Sequence, residues 1–117
     1  MTYSRTWAFD VSRKKSRSRP VPTPEPRPRL DPVRSVRFNK DVARQKARGK
    51  DMSKLHAVIV ALSNRQPLDP KHRDHALTGN LTGFRDCHIE PDWILIYERT
   101  ETELRLMRTG THSDLDL

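Results

Sequence analysis

The chain has 117 residues, of which 33% are hydrophobic, and it carries a formal net charge of +8 with an isoelectric point near 10.3. These values allow one domain with a small core, and they indicate a polyanionic partner, nucleic acid first, because Lys and Arg displace counterions from phosphates. No stretch approaches the roughly 18 consecutive apolar residues of a membrane helix, and the charged N-terminus lacks the apolar segment of a secretory signal. The single Cys87 excludes an internal disulfide. We therefore expect a cytoplasmic protein in a reducing compartment.

The N-terminal segment differs in composition from the rest. Residues 1–32 carry eight Lys or Arg against three acidic residues, and six of the nine prolines lie between Pro20 and Pro32. Alternating prolines interrupt helices and sheet ladders and favour polyproline II. We predict that residues 1–32 form a disordered basic arm and that residues 33–117 form the folded domain. A contact with RNA and a dispensable extension are both open as interpretations of the arm.

Two short helices are predicted to follow a first strand. Residues 33–38 read Val-Arg-Ser-Val-Arg-Phe and are β-like. Asn39 is a candidate N-cap for the first helix, and Gly49 is a candidate stop. The second helix should begin after Asp51 and end before Gln66, with an apolar stripe on one face formed by Leu55, Val58, Ile59 and Leu62. This helical hairpin needs a sheet to cover its stripe.

Four more strands are predicted after the helices. A short strand begins at His75, and residues 84–89, 93–97 and 104–109 alternate with turns that contain Gly, Pro, Asn or Asp. Residues 93–97 are all apolar or aromatic, as in a central strand covered on both faces. The predicted order is β-α-α-β-β-β-β. The fold class is therefore α+β, with a two-helix hairpin packed on a small antiparallel sheet.

Proton-active side chains gather at one edge of this predicted meander. His88 ends one strand, Asp92 lies in the next turn, and His112 follows a later strand that runs in the same direction. Neighbouring strands are about 4.8 Å apart, so these two strand ends should lie roughly 10 Å apart. The strand that begins at His75 is antiparallel to the one that ends at His88. Its first residue should therefore lie at the same edge.

Such a cluster suits the cleavage of RNA by its own 2′-hydroxyl. Imidazole titrates near pH 6.5, so two histidines can supply a base for the hydroxyl and an acid for the 5′-oxygen. Arg108 precedes His112 on the last strand and can stabilise the negative charge of the phosphorane, with Arg85 as a second candidate. The alternative for Arg108 is a surface ion pair with Asp92 or Glu98.

The same side chains are also metal-ligand types. His75, His88, Asp92 and His112 could in principle bind a metal ion. The sequence has neither a His-x-x-x-His nor a Cys-x-x-Cys pattern. We therefore expect acid–base groups, with no metal and no cofactor.

Five sequence blocks carry a resemblance to a known family. They are Lys-Asp at 40–41, Gly-Lys-Asp-Met-Ser-Lys-Leu at 49–55, Asp-His-Ala-Leu-Thr-Gly at 74–79, Gly-Phe-Arg-Asp-Cys-His-Ile-Glu-Pro-Asp-Trp-Ile-Leu-Ile-Tyr at 83–97, and Arg-Thr-Gly-Thr-His at 108–112. With these blocks, roughly two thirds of the chain resembles the YafQ branch of the RelE superfamily of bacterial toxins. The last two blocks are the most specific. The resemblance implies a RelE-like fold.

The resemblance also implies an activity, partners and site residues. Members of this family are type II toxins, ribosome-dependent endoribonucleases that cleave mRNA in the decoding site and are neutralised by a cognate antitoxin. By position, His75, His88, Asp92 and His112 match the family's catalytic set, and Arg108 matches its phosphate-stabilising arginine. We expect His112 to donate the proton to the 5′-oxygen. Asp92 or His88 is expected to be the base and His75 a positioning group, although spacing does not decide among the three.

Further RNA contacts are expected from Arg85, Lys71, Arg73 and Trp93. The tail departs from the family pattern, because residues 113–117 lack the aromatic that helps to hold the substrate. Stacking on such a ring is worth about 1–3 kcal/mol per base. Two alternative functions stay open. One is a non-catalytic RNA-binding or ribosome-binding protein of the same fold, and the other is a sibling toxin with another target such as DNA gyrase, although such relatives lack this histidine set.

Overall fold

The computed structural model of the protein describes residues 28–117. The elements in chain order are β1 (Asp31–Arg34), α1 (Val36–Ala47), α2 (Met52–Ser63), β2 (His75–Ala76), β3 (Arg85–Glu90), β4 (Trp93–Arg99), β5 (Glu103–Gly110) and α3 (His112–Leu115). Single 3₁₀ turns flank β2 at Pro70–His72 and Gly79–Leu81. The predicted order is confirmed, and α3 is an addition to it. None of the helices within the described range has the length and apolar character that crossing a membrane requires.

The five strands form one mixed sheet in the order β1-β5-β4-β3-β2. Strands β2 to β5 form an antiparallel meander, as predicted. β1 instead pairs in parallel with β5, with Asp31 opposite Glu103. A parallel pair needs a long connection, and the helices and the rest of the meander provide it. The antiparallel prediction thus holds for four strands and does not extend to the first.

The first helix begins earlier than the sequence pattern indicates. Ser35 is its N-cap, since the Ser35 Oγ accepts the Phe38 N–H at 2.9 Å, so the helix begins at Val36 and not after Asn39. Phe38, predicted to end a strand, is helical and completely buried. A serine cap satisfies one of the free N–H groups of the first turn and outweighs the β-like alternation of residues 33–38.

The described fold also begins before residue 33. Leu30 is completely buried, and its N–H donates to the Ser63 carbonyl at 2.7 Å. Residues 31 and 32 already belong to β1. Residues 1–27 of the predicted arm lie outside the described residues.

One face of the sheet packs against both helices. Trp93, Leu95 and Tyr97 are completely buried on this face of β4, in a cluster with Phe38 of α1. The predicted stripe of α2 is confirmed, because all four of its members belong to the same cluster: Leu55, Val58, Ile59 and Leu62. The alternate residues of β4, Ile94 and Ile96, lie on the opposite face of the sheet. The functional side chains of β3 lie on this second face as well.

Candidate active site

Three predicted site residues meet where the β3–β4 hairpin approaches the start of α3. The Nδ1 atom of His112 lies 2.5 Å from Oδ1 of Asp92, and the same oxygen accepts the His112 backbone N–H at 2.9 Å. The His88 ring stands edge-on to the His112 ring, with centroids 5.5 Å apart. Two imidazoles are therefore neighbours, and one of them is held by a carboxylate.

Asp92 fixes the orientation of His112. The two hydrogen bonds from His112, backbone first, hold the pKa of the Asp92 carboxyl below its usual range. Asp92 is thus ionised at neutral pH and binds Nδ1, so Nε2 is the ring nitrogen of His112 that can reach a substrate. The His112 side chain is 45% exposed, which leaves that nitrogen accessible.

A buried carboxylate, Asp86, lies among the three histidines. It is 5% exposed, its Oδ1 lies 3.7 Å from Nε2 of His88, and this oxygen accepts no hydrogen bond from any described residue. Asp86 is also directly opposite His75 in the register of β2 and β3. Burial raises the pKa of Asp86, while positive charge on His75, His88 and His112 opposes that rise. Asp86 is not among the site residues predicted from the sequence, although its spacing of two residues from His88 places both on one face of a strand.

The short strand that carries His75 is tied to the sheet by its neighbours. Nδ1 of His75 lies 2.6 Å from the Arg73 carbonyl oxygen. Asp74 accepts hydrogen bonds from the Tyr97 hydroxyl at 2.5 Å and from Arg85 Nε at 3.2 Å. Arg85 pairs opposite Tyr97, on the helix-covered face of β3. The prediction that Arg85 serves the histidine site therefore fails on geometry, because the alternation of a strand sends it to the other face.

Arg108 has a partner that the sequence analysis did not foresee. Its Nε lies 2.6 Å from Oδ2 of Asp41 on α1, and its Nη2 lies 3.3 Å from Oδ1. Asp41 is 6% exposed and also accepts the Thr109 N–H at 3.2 Å. The ion pair raises the pKa of Arg108, so the guanidinium stays charged. The alternative pairing of Arg108 with Asp92 or Glu98 is wrong.

Arg108 nevertheless shares a face of the sheet with the histidine set. It lies opposite Ile96 of β4, and Ile96 lies opposite Asp86 of β3. Directly opposed residues point to the same side, and two strand spacings are about 10 Å. Nη1 of Arg108 makes no hydrogen bond within residues 28–117. The guanidinium thus has one terminal NH₂ group free on the face that carries His88.

Comparison with known proteins places the chain in a family. A family model described as "Bacterial toxin of type II toxin-antitoxin system, YafQ" matches residues 30–117. The chain belongs to the YafQ family. The "mRNA interferase toxin YafQ" of Escherichia coli K12 is 46% identical over 82 residues, which cover 69% of this chain and 89% of the relative. The resemblance inferred from the sequence blocks is confirmed.

Solved structures of YafQ share the fold. The crystal structure of YafQ from E. coli BL21(DE3) is 45% identical and has a TM-score of 0.71, covering 74% of this chain and 97% of that one. The YafQ chain of the crystal structure of the E. coli DinJ-YafQ toxin-antitoxin complex is also 45% identical, with a TM-score of 0.70 and the same coverage. The RelE-like α+β fold predicted from the sequence is thereby confirmed.

Trp93 packs inside this YafQ-family fold. It is completely buried, and its Nε1 donates to Oγ1 of Thr109 at 2.9 Å. That hydroxyl in turn donates to the Ile94 carbonyl at 2.7 Å. The indole has no exposed face for a base. The sequence prediction that Trp93 contacts RNA is therefore corrected to a packing role.

A groove of about 940 Å³ opens beside His88 and His112. Small and apolar residues of α2 and of the segment after it, among them Ala57, Ala61 and Leu68, form part of its lining. Lys71 and Arg73, both predicted to bind RNA, also line it. We call this feature the α2 groove. Its basic side chains lead from solvent toward the two histidines.

His72, the last residue of the 3₁₀ turn that precedes β2, also lines the α2 groove. Its Nδ1 lies 2.6 Å from the backbone oxygen of His88. This contact ties the groove wall to the strand that carries the site. His72 therefore supports the position of His88 through the backbone.

The described residues also bear on metal binding and on thiol chemistry. Within residues 28–117, no group of three or more His, Cys, Asp or Glu side chains is arranged to hold a metal ion. Cys87 is completely buried in the core, and burial raises the pKa of its thiol. A thiol that is hard to ionise and closed to solvent is a packing residue.

Two variants of Arg108 should distinguish its contribution to the stability of the fold from its contribution to RNA cleavage. Arg108→Ala leaves the Asp41 carboxylate buried without its cation, so we expect a loss of about 3–5 kcal/mol in the free energy of unfolding. Arg108→Lys keeps a charge near Asp41 but not the fork, so we expect a smaller loss of stability and cleavage lowered by about 10²-fold. Urea unfolding and a cleavage assay measure the two effects.

Arg105→Ala is the matched control for this pair of variants. Arg105 lies on the same strand but is exposed, and its partners are the surface carboxylates Glu98 and Glu103. Such pairs contribute about 0–1 kcal/mol. Equal stability of the Arg108→Ala and Arg105→Ala variants would show that the Asp41 pair does not hold α1 on β5.

Proposed function

We propose that this protein is the toxin of a type II toxin–antitoxin system and that it cleaves mRNA by attack of a 2′-hydroxyl on the adjacent phosphodiester. The observation that carries the proposal is the pair of imidazoles 5.5 Å apart, one of them bound to Asp92. Cleavage of this kind needs one group that accepts the proton of the 2′-hydroxyl and one group that donates a proton to the 5′-oxygen. The E. coli relative at 46% identity is named an mRNA interferase toxin, which supports the same activity here.

The geometry favours a division of roles between the histidines. His112, oriented by Asp92, gives the proton on Nε2 to the departing 5′-oxygen. His88 takes the proton of the 2′-hydroxyl, because Oδ1 of Asp92 already accepts two hydrogen bonds from His112. The attack forms a 2′,3′-cyclic phosphate and releases a 5′-hydroxyl. No water and no covalent intermediate with the protein are needed.

Arg108 and Asp86 shape the charge around this reaction. The free Nη1 of Arg108 is suited to a phosphorane oxygen, because its fork is already fixed by Asp41. Asp86, buried beside His88, balances the positive charge that His88 acquires as it accepts a proton. His75 lies opposite Asp86 and completes the set as a positioning group.

We propose mRNA on the translating ribosome as the substrate and a cognate antitoxin as the partner. The solved E. coli relative forms a complex with the antitoxin DinJ, which supports a partner of the same class. A ribonuclease of this kind has to be held in check inside the cell that makes it. The expected place of action is therefore the cytoplasm, where translation occurs.

A cleavage assay tests this function. Purified full-length protein is added to translating ribosomes on a defined mRNA, and separately to the same mRNA alone. We expect cuts at the decoding site that leave 2′,3′-cyclic phosphate ends, at a much higher rate with ribosomes. Salt-dependent RNA binding without any cleavage would instead favour the non-catalytic binder. DNA damage signalling without RNA cleavage would favour a toxin with another target.

The α2 groove gives a prediction about substrate affinity. Lys71→Ala and Arg73→Ala should each weaken the binding of single-stranded RNA and reduce the slope of log K against log salt by about 0.7, the effect of one lost phosphate contact. Binding is measured by fluorescence anisotropy with a 2′-O-methyl RNA that cannot be cleaved.

Lys46→Ala is the control for charge alone. Lys46 lies in the last turn of α1 and is exposed, outside the residues that line the groove. It removes the same charge as Lys71→Ala. If all three variants change the salt slope equally, the groove has no special part in RNA binding.

A further inference from the structure

The last helix, α3, has an unusual anchor for its size. Thr111 is its N-cap and accepts the Asp114 N–H through Oγ1 at 3.0 Å, while Asp114 Oδ2 accepts the Thr111 N–H at 3.0 Å. This capping box defines the four residues of the helix. A helix this short has no stability of its own in water. Its position must therefore come from contacts with the rest of the fold.

The side chain of Asp114 makes such a contact, with residues at the C-terminal end of α1. Arg48 donates to both carboxylate oxygens, at 2.7 and 3.1 Å, and Gln45 Nε2 lies 3.3 Å from Oδ2. These hydrogen bonds, that of Arg48 first, hold the pKa of Asp114 well below its usual range. The Asp114 side chain is 12% exposed, so the pair is partly shielded from water. A bidentate pair of this kind fixes direction as well as distance.

The approach of α3 to the sheet is close. A Cβ atom at Gly110 would lie 2.8 Å from both Cβ and Oδ2 of Asp114. The glycine therefore lets the carboxylate reach back over the end of β5 toward α1. His112, the first residue of α3, lies between this anchor and Asp92 on the opposite side.

We propose that Arg48 is a positioning residue for RNA cleavage, acting through Asp114 to hold α3 on α1 so that His112 stays on Asp92 and beside His88. The inference rests on the proposed function, because it concerns the group that donates the proton. Residues 113–117 have only leucines as apolar side chains with which to pack.

Comparison of Arg48→Ala with Arg44→Ala tests the proposal. Both variants remove one arginine from the C-terminal end of α1, since Arg44 lies in its last turn and Arg48 is its C-cap, so any general loss of attraction for RNA is equal. Arg44 makes only a 3.7 Å contact with Asp114. We expect Arg48→Ala to lower kcat between about 10- and 100-fold with KM unchanged, since small misplacement of a catalytic group has effects of this size. Arg44→Ala should match the parent, and Arg48→Lys should recover part of the loss.

A spectroscopic measurement gives a result that does not depend on activity. The His112 ring is observed by ¹⁵N NMR in full-length protein and assigned by its loss in His112→Gln. We expect the Nδ1 proton bonded to Asp92 to be sharp in the parent and in Arg44→Ala, and to be broadened or lost in Arg48→Ala.

The two measurements separate the possible failures. The proposal is overturned if Arg48→Ala keeps the parental kcat and His112 spectrum. It is equally overturned if activity falls only in proportion to unfolded protein while the His112 signal of the folded fraction is unchanged. If the parent does not cleave RNA at all, the proposed function has failed, and the His112 spectrum of Arg48→Ala still decides whether Arg48 positions the ring.

Discussion

Replacing His112 with alanine is expected to lower the rate of mRNA cleavage by about 10²–10⁴-fold, the usual contribution of a positioned general acid. The ring is held at 2.5 Å by Asp92 and stands next to His88, so no other imidazole can take its place without moving the backbone. RNA affinity should change little, because we expect the phosphate contacts to lie along the α2 groove. The measurement is single-turnover cleavage on programmed ribosomes, with binding determined separately.

His56→Ala is the matched control for the loss of an imidazole. His56 is exposed on α2 and has no contact with the site among the described residues. It should cleave at the parental rate. A His112→Ala variant that is as active and as toxic as the parent would show that the proton reaches the 5′-oxygen by another route. His112→Gln, which is closer in size, checks that loss of the acid, and not a local collapse, causes the effect.

Local signals in the sequence were enough to predict most of the helices and strands. α2 begins after Asp51, as predicted, with Asp51 as its N-cap, and it ends at Ser63, before Gln66. The four later strands appear in the predicted order, with turns at the predicted Gly, Pro and Asp positions. Caps, apolar periodicity and turn residues act over a few positions, so a single sequence contains them in full.

Pairings between distant segments were not visible in the same way. The parallel register of Asp31 with Glu103 joins residues at opposite ends of the folded domain. The partner of Arg108 is Asp41, 67 positions away. No periodicity encodes which carboxylate an arginine will meet. The choice follows from α1 crossing the open edge of β5 beyond the end of β1, where Ser35 binds the backbone of residues 106 and 107.

Site residues could be predicted from the sequence where strand direction alone determines their position. They could not be predicted where the position depends on which face of a strand the side chain occupies. His88, Asp92 and His112 meet because alternate strands of a meander end at one edge. Arg85 was misplaced because neighbouring positions of β3 point to opposite faces, and the burial of each face depends on where the helices pack. The positive charge of an arginine in the sequence does not show which face of a strand its side chain occupies.

Residues 113–117 differ from the family pattern, and the structure gives them a second role. From the sequence, the absence of an aromatic in residues 113–117 weakens the expected grip on a base. In the structure the same residues hold the helix whose first member is His112, through Asp114 and Arg48. Residues 113–117 are therefore tied to the position of His112, the proposed acid, in addition to any effect on substrate affinity.

Trp93→Ala is expected to reduce the free energy of unfolding by about 3–5 kcal/mol, the cost of truncating a fully buried aromatic side chain. The indole is completely enclosed between the sheet and the helices, and its Nε1 hydrogen bond to Thr109 is lost as well. For a domain of this size that loss is a large fraction of the total stability. Urea unfolding followed by circular dichroism measures it, with Val60→Ala, at an exposed apolar position on α2, as the control expected to cost under about 0.5 kcal/mol.

Trp93→Phe decides between packing and RNA stacking. A phenyl ring can still stack, but it cannot donate a hydrogen bond to Thr109 and leaves part of the cavity empty. Burial therefore predicts lower stability with unchanged RNA affinity of the folded protein. An RNA contact predicts the reverse for Trp93→Ala, a loss of about 1–3 kcal/mol in binding with stability nearly intact. Because the indole ring offers no open face, only the first result is compatible with the structure, and RNA recognition must be sought along the α2 groove and at the histidine edge.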